Sequence, residues 1–361
     1  MSNAFFYYEK YPPVAIYRNK YYITSGGSRF YELTPDLKDR DIKGSRYFIR
    51  ALRHMEATSN ISGKIFIVVE MGDEELPAYG DNVIVFVVSD SFQKIPIFSR
   101  KVGLVFKSLG IFPKVNCSFA FDYLTILMWL RFFRSVAQNV TSRFAVMRSS
   151  KGPSKRRMAP ISPIPLGDRD VWDLDPKPIL ERTHDVSFLG SAIGGKFPKF
   201  GVTRILGTPK AWSRARMIGV LKNYAETRPT SVVTLQAAST FAASRGADPG
   251  PFSELLADTK ICVVPRGDLP ETYRYFQGLR YGCVIIAEEL PDEWFYRGGP
   301  AFTIRQWDEL PALLDRLLAD PELMKRKSAE SLAWWHEVVS EPALGRYIAQ
   351  RVEALGEGIS A

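Results

Sequence analysis

Cysteine and histidine are scarce in this sequence, which contains only three of each among its 361 residues. Cys117, Cys262 and Cys283 show neither a paired spacing nor the spacing of a metal site. This pattern argues against a disulfide framework and favours a reducing, cytoplasmic compartment. The first residues also lack a basic region followed by a long apolar one, so no secretory signal is expected.

Long uninterrupted apolar runs are lacking too. The longest apolar stretch, from Phe119 to Val136, is broken by Asp122 and Arg131, and its unbroken part is far below the roughly 20 residues that span a bilayer. Two interpretations stay open for it. It is either a buried or amphipathic helix of the fold, or a helix that contacts a membrane surface, because aromatic and arginine residues alternate near its end.

Acidic residues are outnumbered by basic ones, which gives a formal net charge of +9. Such an excess would suit nucleic acid, an anionic membrane face or an anionic small molecule. The charge is spread along the chain, with one short cluster in SKRRM, Ser154–Met158. A spread excess is typical of a solvated surface, so nucleic acid is not an expected partner.

The pattern of apolar runs predicts an α/β protein. In the first half, two continuous β-branched runs predict buried strands at Ile65–Glu70 and Val83–Val88, and helical spacing predicts a helix at Tyr47–Thr58. A further helix is predicted from about Ser99, ending at Gly110. In the second half, the strand-like runs DVSFLGS, SVVTLQA, KICVVP, CVIIAEE and PAFTIR alternate with helical segments, which favours a parallel, doubly wound sheet.

A change of composition divides these halves. The stretch from Ser149 to Pro178 is rich in proline and has no clear periodicity, as expected of a connecting segment. We therefore expect an N-terminal domain over residues 1–150, a linker over 151–180, a second domain over 181–340 and a final helix over 341–361. That helix is expected to return to the N-terminal domain.

Chemistry is concentrated in CVVPRGDLPETYRYFQGLRYGCVIIAEE, which runs from Cys262 to Glu289. The predicted strand ends at a Pro-Arg-Gly sequence, so Arg266 and Gly267 should lie at the carboxyl edge of the sheet, where ligands of parallel sheets bind. The next helix should present its first amides, near Thr272 and Tyr273, to a phosphate group. Arg266 and Arg274 could add hydrogen bonds to the phosphate oxygens. Alternatively, Arg274 pairs with a nearby acid and Gly267 only makes a turn.

The same stretch resembles the exostosin-type glycosyltransferases. Their signature combines Pro-Arg-Gly after a strand, a hydroxyl residue two positions before an arginine, and Gly-Cys before a hydrophobic strand. The matching positions are Pro265, Arg266, Gly267, Thr272, Arg274, Gly282, Cys283, Val284 and Ile286. VSFLGSAIGG with RARMIGVL upstream, and Trp334 with Trp335 downstream, are also similar, so the resemblance covers roughly 185–341. Two positions differ from the family pattern: Gln277 stands where the family usually has an acid, and Ile285 where it has proline.

The resemblance implies a GT-B fold, in which two Rossmann-like domains face each other across a cleft. It implies a nucleotide sugar held mainly by the C-terminal domain, with basic side chains instead of a metal or cofactor to neutralise the diphosphate. The stretch DRDVWDLD, Asp168–Asp175, contains Asp-x-Asp spacings, but it falls in the predicted linker and is interpreted as a solvated segment, so no clear metal-binding Asp-x-Asp motif is assigned. The sequence contains neither a P-loop lysine motif nor a dinucleotide fingerprint. Gly190, Ser191, Arg214, Tyr273 and Gln277 are expected to join the donor site.

An inverting transferase also needs a general base from the N-terminal domain. Asp90 and Glu74, near the ends of the two predicted strands, are the preferred candidates. The further candidates are Asp73, Glu75, His54 and His184.

The expected activity is transfer of a sugar from a nucleotide donor to a glycan or lipid-linked acceptor, in polysaccharide biosynthesis. It would take place in the cytoplasm, including the inner face of the membrane. The alternative is a non-catalytic carbohydrate- or nucleotide-binding protein of the same fold.

Overall fold

The computed structural model describes residues 16–24, 29–35, 45–89, 93–111, 123–149, 158–168, 172–191, 207–238 and 249–357. These residues divide into two compact units. The N-terminal unit contains the described residues up to 111, together with 132–168 and 338–357. The C-terminal unit contains 123–131 and 172–337.

The N-terminal unit is built on a sheet whose described strands follow the order β2-β1-β3-β4-β5-β6. The neighbouring strands are parallel except for the antiparallel pair of β1 and β2. The strands are β1 (Lys20–Thr24), β2 (Phe30–Glu32), β3 (Ile65–Val69), β4 (Gly80–Val87), β5 (Val102–Lys107) and β6 (Ile161–Pro163). The central strands carry continuous Val, Ile and Phe runs that are buried, as expected of parallel strands covered on both faces.

Among the described residues, this unit contains the helix α1 (Arg46–Thr58), the part of α2 (Tyr123–Ser149) from Phe132 onward and a C-terminal helix that is named below. The division between the two units falls inside α2, after Arg131. Helix α1 buries Phe48, Leu52 and Met55, whose spacing gives it one apolar face.

The C-terminal unit contains a five-stranded sheet among its described residues, with all neighbours parallel and the order β11-β10-β9-β7-β8. Its strands are β7 (His184–Ser191), β8 (Val233–Ala238), β9 (Thr259–Val264), β10 (Val284–Glu288) and β11 (Phe302–Ile304). Its helices are α3 (Pro209–Thr227), α4 (Pro249–Ala257), α5 (Tyr273–Arg280), α6 (Leu310–Leu318) and α7 (Pro321–Trp334), the last followed by a π-helical turn at Trp335–Val339. The two sheets confirm the expected α/β class with two Rossmann-like units.

The last described helix is α8 (Glu341–Glu357), which packs along α1 of the N-terminal unit. A Cβ atom at Gly345 would lie 2.7 Å from the carbonyl oxygen of Ala51, so a glycine is required for this close approach. Arg50 and Glu341, both buried, form an ion pair with 3.5 Å between Nη1 and Oε1.

One helix prediction is wrong. The segment expected to be helical from about Ser99 forms turns and then β5, which is buried between β4 and β6. The sequence VGLVFK has the β-branched and aromatic residues of a strand, and the apolar spacing that suggested a helix is also compatible with a strand buried on both faces. β6 also lies inside the stretch predicted to be a linker, so this part of that stretch belongs to the sheet.

Candidate functional site

The carboxyl edge of the second sheet brings three chain segments together. β7 ends at Ser191, β9 is followed by Arg266, and the neighbouring strand β10 ends at Glu288. Because all of these strands are parallel, their carboxyl ends lie at one edge of the sheet, which is where ligands of such sheets bind. Predicted donor-site residues from two separate segments therefore share this edge.

Two arginines from different helices converge on the end of β7. Arg214 lies on α3 and Arg274 on α5. If Gly190 had a Cβ atom, it would lie 3.5 Å from Nη1 of Arg214 and 3.5 Å from Nη2 of Arg274. A glycine at this position leaves open the space that both guanidinium groups border.

Arg214 is held in place by backbone carbonyl groups. Its Nε donates to the carbonyl oxygen of Arg266 at 3.1 Å, and its Nη1 donates to the carbonyl oxygen of Ser191 at 2.5 Å. Burial lowers the pKa of Arg214 to about 10, and the carboxylates of Asp268 and Glu288 act in the opposite direction. The group therefore remains a cation at neutral pH, and its position is fixed by the loops at the sheet edge.

Arg274 has less compensation for its charge. Its pKa is lowered to about 10, mainly by burial and to a smaller extent by Arg214, and the one opposing group is Cys262. Its guanidinium group lies over the ring of Phe252, 4.4 Å from the ring centre. Nη1 of Arg274 is buried without a hydrogen-bond partner among the described residues. Arg274 as a whole is half-buried, but this arrangement leaves one buried donor of the cation available to an anionic ligand.

The start of α5 presents further donors. Thr272 precedes the helix with extended backbone angles, and its side chain does not cap the first turn. Oγ1 of Thr272 is buried and has no hydrogen-bond partner among the described residues. The first amides of an uncapped helix and its positive end favour an anion.

Arg266 is placed differently from the other two arginines. Its Nε lies 3.8 Å from Oε2 of Glu288, and its Nη1 lies 2.8 Å from Sδ of Met128. Glu288 also accepts a hydrogen bond from Nε1 of Trp307 at 2.9 Å. The carboxylate at the end of β10 thus balances part of the positive charge of Arg266.

Two functional candidates were missed by sequence analysis. Lys210 is buried in the first turn of α3, and its pKa is lowered by burial and by Arg214, while Asp268 acts in the opposite direction. Glu288 is the counter-charge of Arg266. In the sequence, Lys210 follows a glycine-rich segment and Glu288 stands at the end of a predicted strand. Neither position distinguishes these residues from ordinary charged residues of the surface.

The remaining predicted donor residues lie on the same loop and helix. A Cβ atom at Gly267 would lie 3.1 Å from the carbonyl oxygen of Glu271, so the glycine lets this loop fold tightly on itself. Tyr273 is half-buried in the first turn of α5, and Gln277 is buried one turn later. By contrast, Arg216 of α3 is exposed and forms an ion pair with Asp308 at 2.7 Å.

The predicted catalytic bases belong to the N-terminal unit. Glu74 follows β3, and its Oε1 accepts a hydrogen bond from the amide of Met71 at 2.7 Å. Burial raises the pKa of Glu74, and its Oε2 is buried without a hydrogen-bond partner among the described residues. Asp73 and Glu75 are exposed. Asp90 lies outside the described residues, and the catalytic roles of Asp90 and Glu74 stay predictions.

The three histidines do not share one site. His54 is half-buried on α1, and its pKa is lowered by burial and by Arg346. Nδ1 of His184 lies 2.9 Å from Oγ1 of Thr234, and His336 is exposed. Among the described residues, no group of three or more His, Cys, Asp or Glu side chains is arranged to hold a metal ion.

A pocket of about 250 Å³ opens beyond the end of β10. It is lined by Tyr275 of α5 and by residues after β10 and around β11: Glu289, Leu290, Pro291, Asp292, Tyr296, Arg297, Gly299, Ala301 and Thr303. Glu289 is exposed, and Asp292 forms an ion pair with Arg297 at 2.7 Å. Tyr275 directly follows Arg274, so α5 contributes to this pocket as well as to the arginine cluster.

Comparison with known proteins gives structural similarity only. No protein-family model matches the sequence, and no curated protein matches it. One similar structure is WaaG, a glycosyltransferase involved in lipopolysaccharide biosynthesis, with a TM-score of 0.41, 10% identity, and coverage of 84% of this chain and 94% of that chain. Another similar structure is a chain of the GtfA/B complex, with a TM-score of 0.35 and 11% identity. The match covers 81% of the present chain and 53% of the GtfA/B chain, so the present chain spans about half the length of the GtfA/B chain. The specific relationship to exostosin-type enzymes stays a prediction.

Proposed function

We propose that the protein is a glycosyltransferase that moves a sugar from a nucleotide-sugar donor to a hydroxyl group of a glycan or lipid-linked acceptor. One observation carries this proposal: Arg214 and Arg274 converge on Gly190, and Nη1 of Arg274 is buried without a hydrogen-bond partner among the described residues. A buried donor of a cationic group is costly unless it has a partner. The diphosphate of a nucleotide sugar would supply the missing negative charge.

The surrounding groups suit a diphosphate better than a single carboxylate. Lys210 and the two arginines supply positive charge, while the Thr272 hydroxyl and the first amides of α5 supply neutral donors. A diphosphate has several oxygens at separate positions, and this set offers donors from several chain segments. Arginine groups can also bind phosphate through two parallel hydrogen bonds.

The proposed reaction breaks the bond between the anomeric carbon and the diphosphate oxygen. The acceptor oxygen forms the new bond on the opposite face of the sugar, and its proton passes to a carboxylate base, so the configuration is inverted. Negative charge develops on the leaving diphosphate. Arg214 and Arg274 would stabilise that charge, a role that does not require a bound metal.

Asp90 and Glu74 are the proposed bases. A general base works best when its pKa approaches the working pH, and burial shifts the pKa of Glu74 in that direction. Its buried Oε2 has no hydrogen-bond partner among the described residues, which leaves that atom able to accept a proton.

Donor recognition would extend along α5. Gln277 offers an amide to hydroxyl groups of the donor, and Glu289 offers a carboxylate in the neighbouring pocket. Arg266 and Gly267, on the loop between β9 and α5, and Tyr273, in the first turn of α5, would also bind the donor.

A cytoplasmic location is proposed for the reaction. The two described cysteines, Cys262 and Cys283, are unpaired and fully buried. Free cysteines of this kind are typical of proteins in a reducing compartment. A donor pool of nucleotide sugars and an acceptor at the inner face of a membrane would both be accessible there.

A second candidate function is a non-catalytic nucleotide- or carbohydrate-binding protein. It is favoured by Gln277, a buried amide at the position where the exostosin-type pattern has an acid. Such a protein would bind the donor through the same arginines and would release no nucleotide from it.

The site is tested by thermal-shift and calorimetric binding of UDP, GDP, CMP and TDP. Arg274→Ala should weaken binding of the preferred nucleotide by about ten- to hundredfold, the range expected for lost hydrogen bonds to a charged group. Arg216→Ala removes an exposed arginine of the same unit and should leave binding unchanged. Equal affinity in the Arg274→Ala variant and the wild-type protein would refute the site.

Nucleotide release from a panel of nucleotide sugars separates the two candidate functions. A transferase should release nucleotide faster when its acceptor is added. Tight nucleotide binding without any release from any donor would support the non-catalytic alternative.

A further inference from the structure

The second part of α2, from Phe132 onward, directs Ser135, Asn139 and Ser142 toward the protein, together with the apolar Val146. Asn139 donates from Nδ2 to the carbonyl oxygens of Gln93 and Ile111, at 3.0 and 2.5 Å. Oγ of Ser142 accepts a hydrogen bond from the amide of Ile95 at 3.1 Å. Asn139 and Ser142 are buried. These contacts fix which face of the helix is directed inward.

The outward face is apolar as a result. Its exposed apolar side chains recur at intervals of three and four residues: Phe133 (61% exposed), Val136 (36%), Val140 (45%), Phe144 (60%) and Met147 (50%). We call this set the α2 stripe. A surface helix normally buries its apolar face, whereas this part of α2 buries Val146 but leaves the α2 stripe exposed. Aligned exposed apolar residues of this kind mark a surface that binds a partner or a membrane.

The charges beside the α2 stripe have a single sign. Arg134, Arg143 and Arg148 are exposed on the same part of the helix, and the α2 sequence contains no acidic residue. In the sequence, eight basic residues and no acidic one occur between positions 123 and 157. The surface that complements apolar side chains flanked by arginines is an anionic lipid bilayer.

We propose that the α2 stripe binds the surface of an anionic membrane, with the helix lying parallel to it. Phe133, Phe144 and Met147 would enter the boundary between headgroups and acyl chains, while the arginines contact lipid phosphates. None of the helices described above combines the length and the hydropathy that crossing a bilayer requires. A second copy of this chain is a poorer occupant, because pairing two such helices would bring arginines together without acidic partners.

This inference does not depend on the proposed transferase activity. A protein bound in this way would remain at the membrane surface, where lipid-linked acceptors are found. Nucleotide binding and membrane binding are measured separately, so failure of one leaves the other standing.

The test is co-sedimentation of the full chain with vesicles of phosphatidylcholine alone and of phosphatidylcholine mixed with phosphatidylglycerol. The wild-type protein should bind the mixed vesicles and bind them more weakly as salt is raised. The double variant Phe133→Ser/Phe144→Ser should bind them at least tenfold more weakly. The control is Tyr31→Ser, which removes an exposed aromatic residue of the same unit and should bind as the wild-type protein does.

A charge variant keeps the test independent of any folding defect in the double serine variant. Arg134→Gln/Arg148→Gln alters only exposed side chains and should weaken binding by about fivefold per arginine on anionic vesicles. Lys20→Gln, an exposed charge on β1, should have little effect. Circular dichroism verifies that each variant is folded.

Two results would overturn the proposal. The first is a wild-type protein that sediments with neither kind of vesicle. The second is a concentration-dependent dimer in analytical ultracentrifugation that the Phe133→Ser/Phe144→Ser variant abolishes, because the stripe would then bind a second copy.

Discussion

Arg214 and Arg274 each place a guanidinium nitrogen 3.5 Å from the point where a Cβ atom on Gly190 would lie. The two cations thus border the same small space at the end of β7, although burial lowers the pKa of both to about 10. Two like charges are brought this close in a folded protein at a cost in stability. An anionic ligand between them would remove that cost.

Filling this space should weaken nucleotide binding without unfolding the protein. In Gly190→Ala, the added Cβ atom would meet Cζ of Phe188 at 3.2 Å, a contact that a small movement of the ring can relieve. We expect nucleoside diphosphate affinity to fall about tenfold or more, with little change in melting temperature. The matched control is Gly219→Ala on α3, where a Cβ atom would have no neighbour within 4 Å and should stabilise the helix by about 0.5 to 1 kcal/mol. Calorimetric titration and thermal melting measure both effects, and an unchanged affinity in Gly190→Ala would contradict the placement of the ligand.

Removing the charge of Arg274 should stabilise the ligand-free protein. Burial depresses the pKa of this group, so its positive charge costs more free energy in the folded protein than in the unfolded chain. This cost to stability is present in full at every pH below about 10. Arg274→Met keeps most of the side-chain volume and should raise the free energy of unfolding at pH 7 by about 1 to 2 kcal/mol. The same variant should lose the increase in melting temperature that nucleotide gives to the wild-type protein. A variant less stable than the wild type would show that Arg274 serves packing instead.

Nucleotide affinity should depend on pH in the alkaline range. Burial lowers the pKa of both Arg214 and Arg274 to about 10, well below the usual range of arginine. Affinity for a nucleoside diphosphate should therefore be steady between about pH 7 and pH 9 and should fall as the pH rises through about 10. Calorimetric titration of the wild-type protein over this pH range checks the expectation. Arg216→Gln, which removes an exposed arginine, is the control and should show the same pH dependence as the wild type. Binding that stays constant to the limit of folding would argue against arginine as the principal ligand of the phosphates.

Glu74→Gln tests the proposed base with little structural change. The amide oxygen can still accept the hydrogen bond from Met71, so the loop should keep its conformation. Burial raises the pKa of Glu74, so the carboxylate becomes a cost to stability as the pH rises above the usual pKa of glutamate. The variant should therefore be at least as stable as the wild type at pH 7.

If Glu74 is the base, the turnover of Glu74→Gln should be about 100-fold lower than that of the wild type, or lower still, while its affinity for the donor is unchanged. The exposed neighbour substitution Glu75→Gln should retain full turnover. Full turnover in Glu74→Gln itself would leave Asp90 as the remaining candidate among the two preferred carboxylates.

The sequence was sufficient to predict the alternation of strands and helices around the second sheet. Runs such as KICVVP and CVIIA are strongly apolar and β-branched, and the Gly and Pro residues between them mark the loops. Parallel pairing then requires that Ser191 and Arg266 come to the same edge. The same reasoning failed for β5, because a short apolar run satisfies the spacing of a helix as well as that of a buried strand.

Tertiary structure alone decided how the charged side chains are partnered. Arg214 and Arg274 are 60 positions apart in the sequence, and only the folding of α3 and α5 onto one sheet brings them to Gly190. The pairing of Arg266 with Glu288 likewise depends on β9 and β10 being neighbours. The sequence could not predict that the α2 stripe faces outward. The inward face is set by hydrogen bonds from Asn139 to the carbonyl oxygens of Gln93 and Ile111, which are distant in the sequence. Local patterns specify which element forms, whereas long-range contacts determine what each face of that element meets.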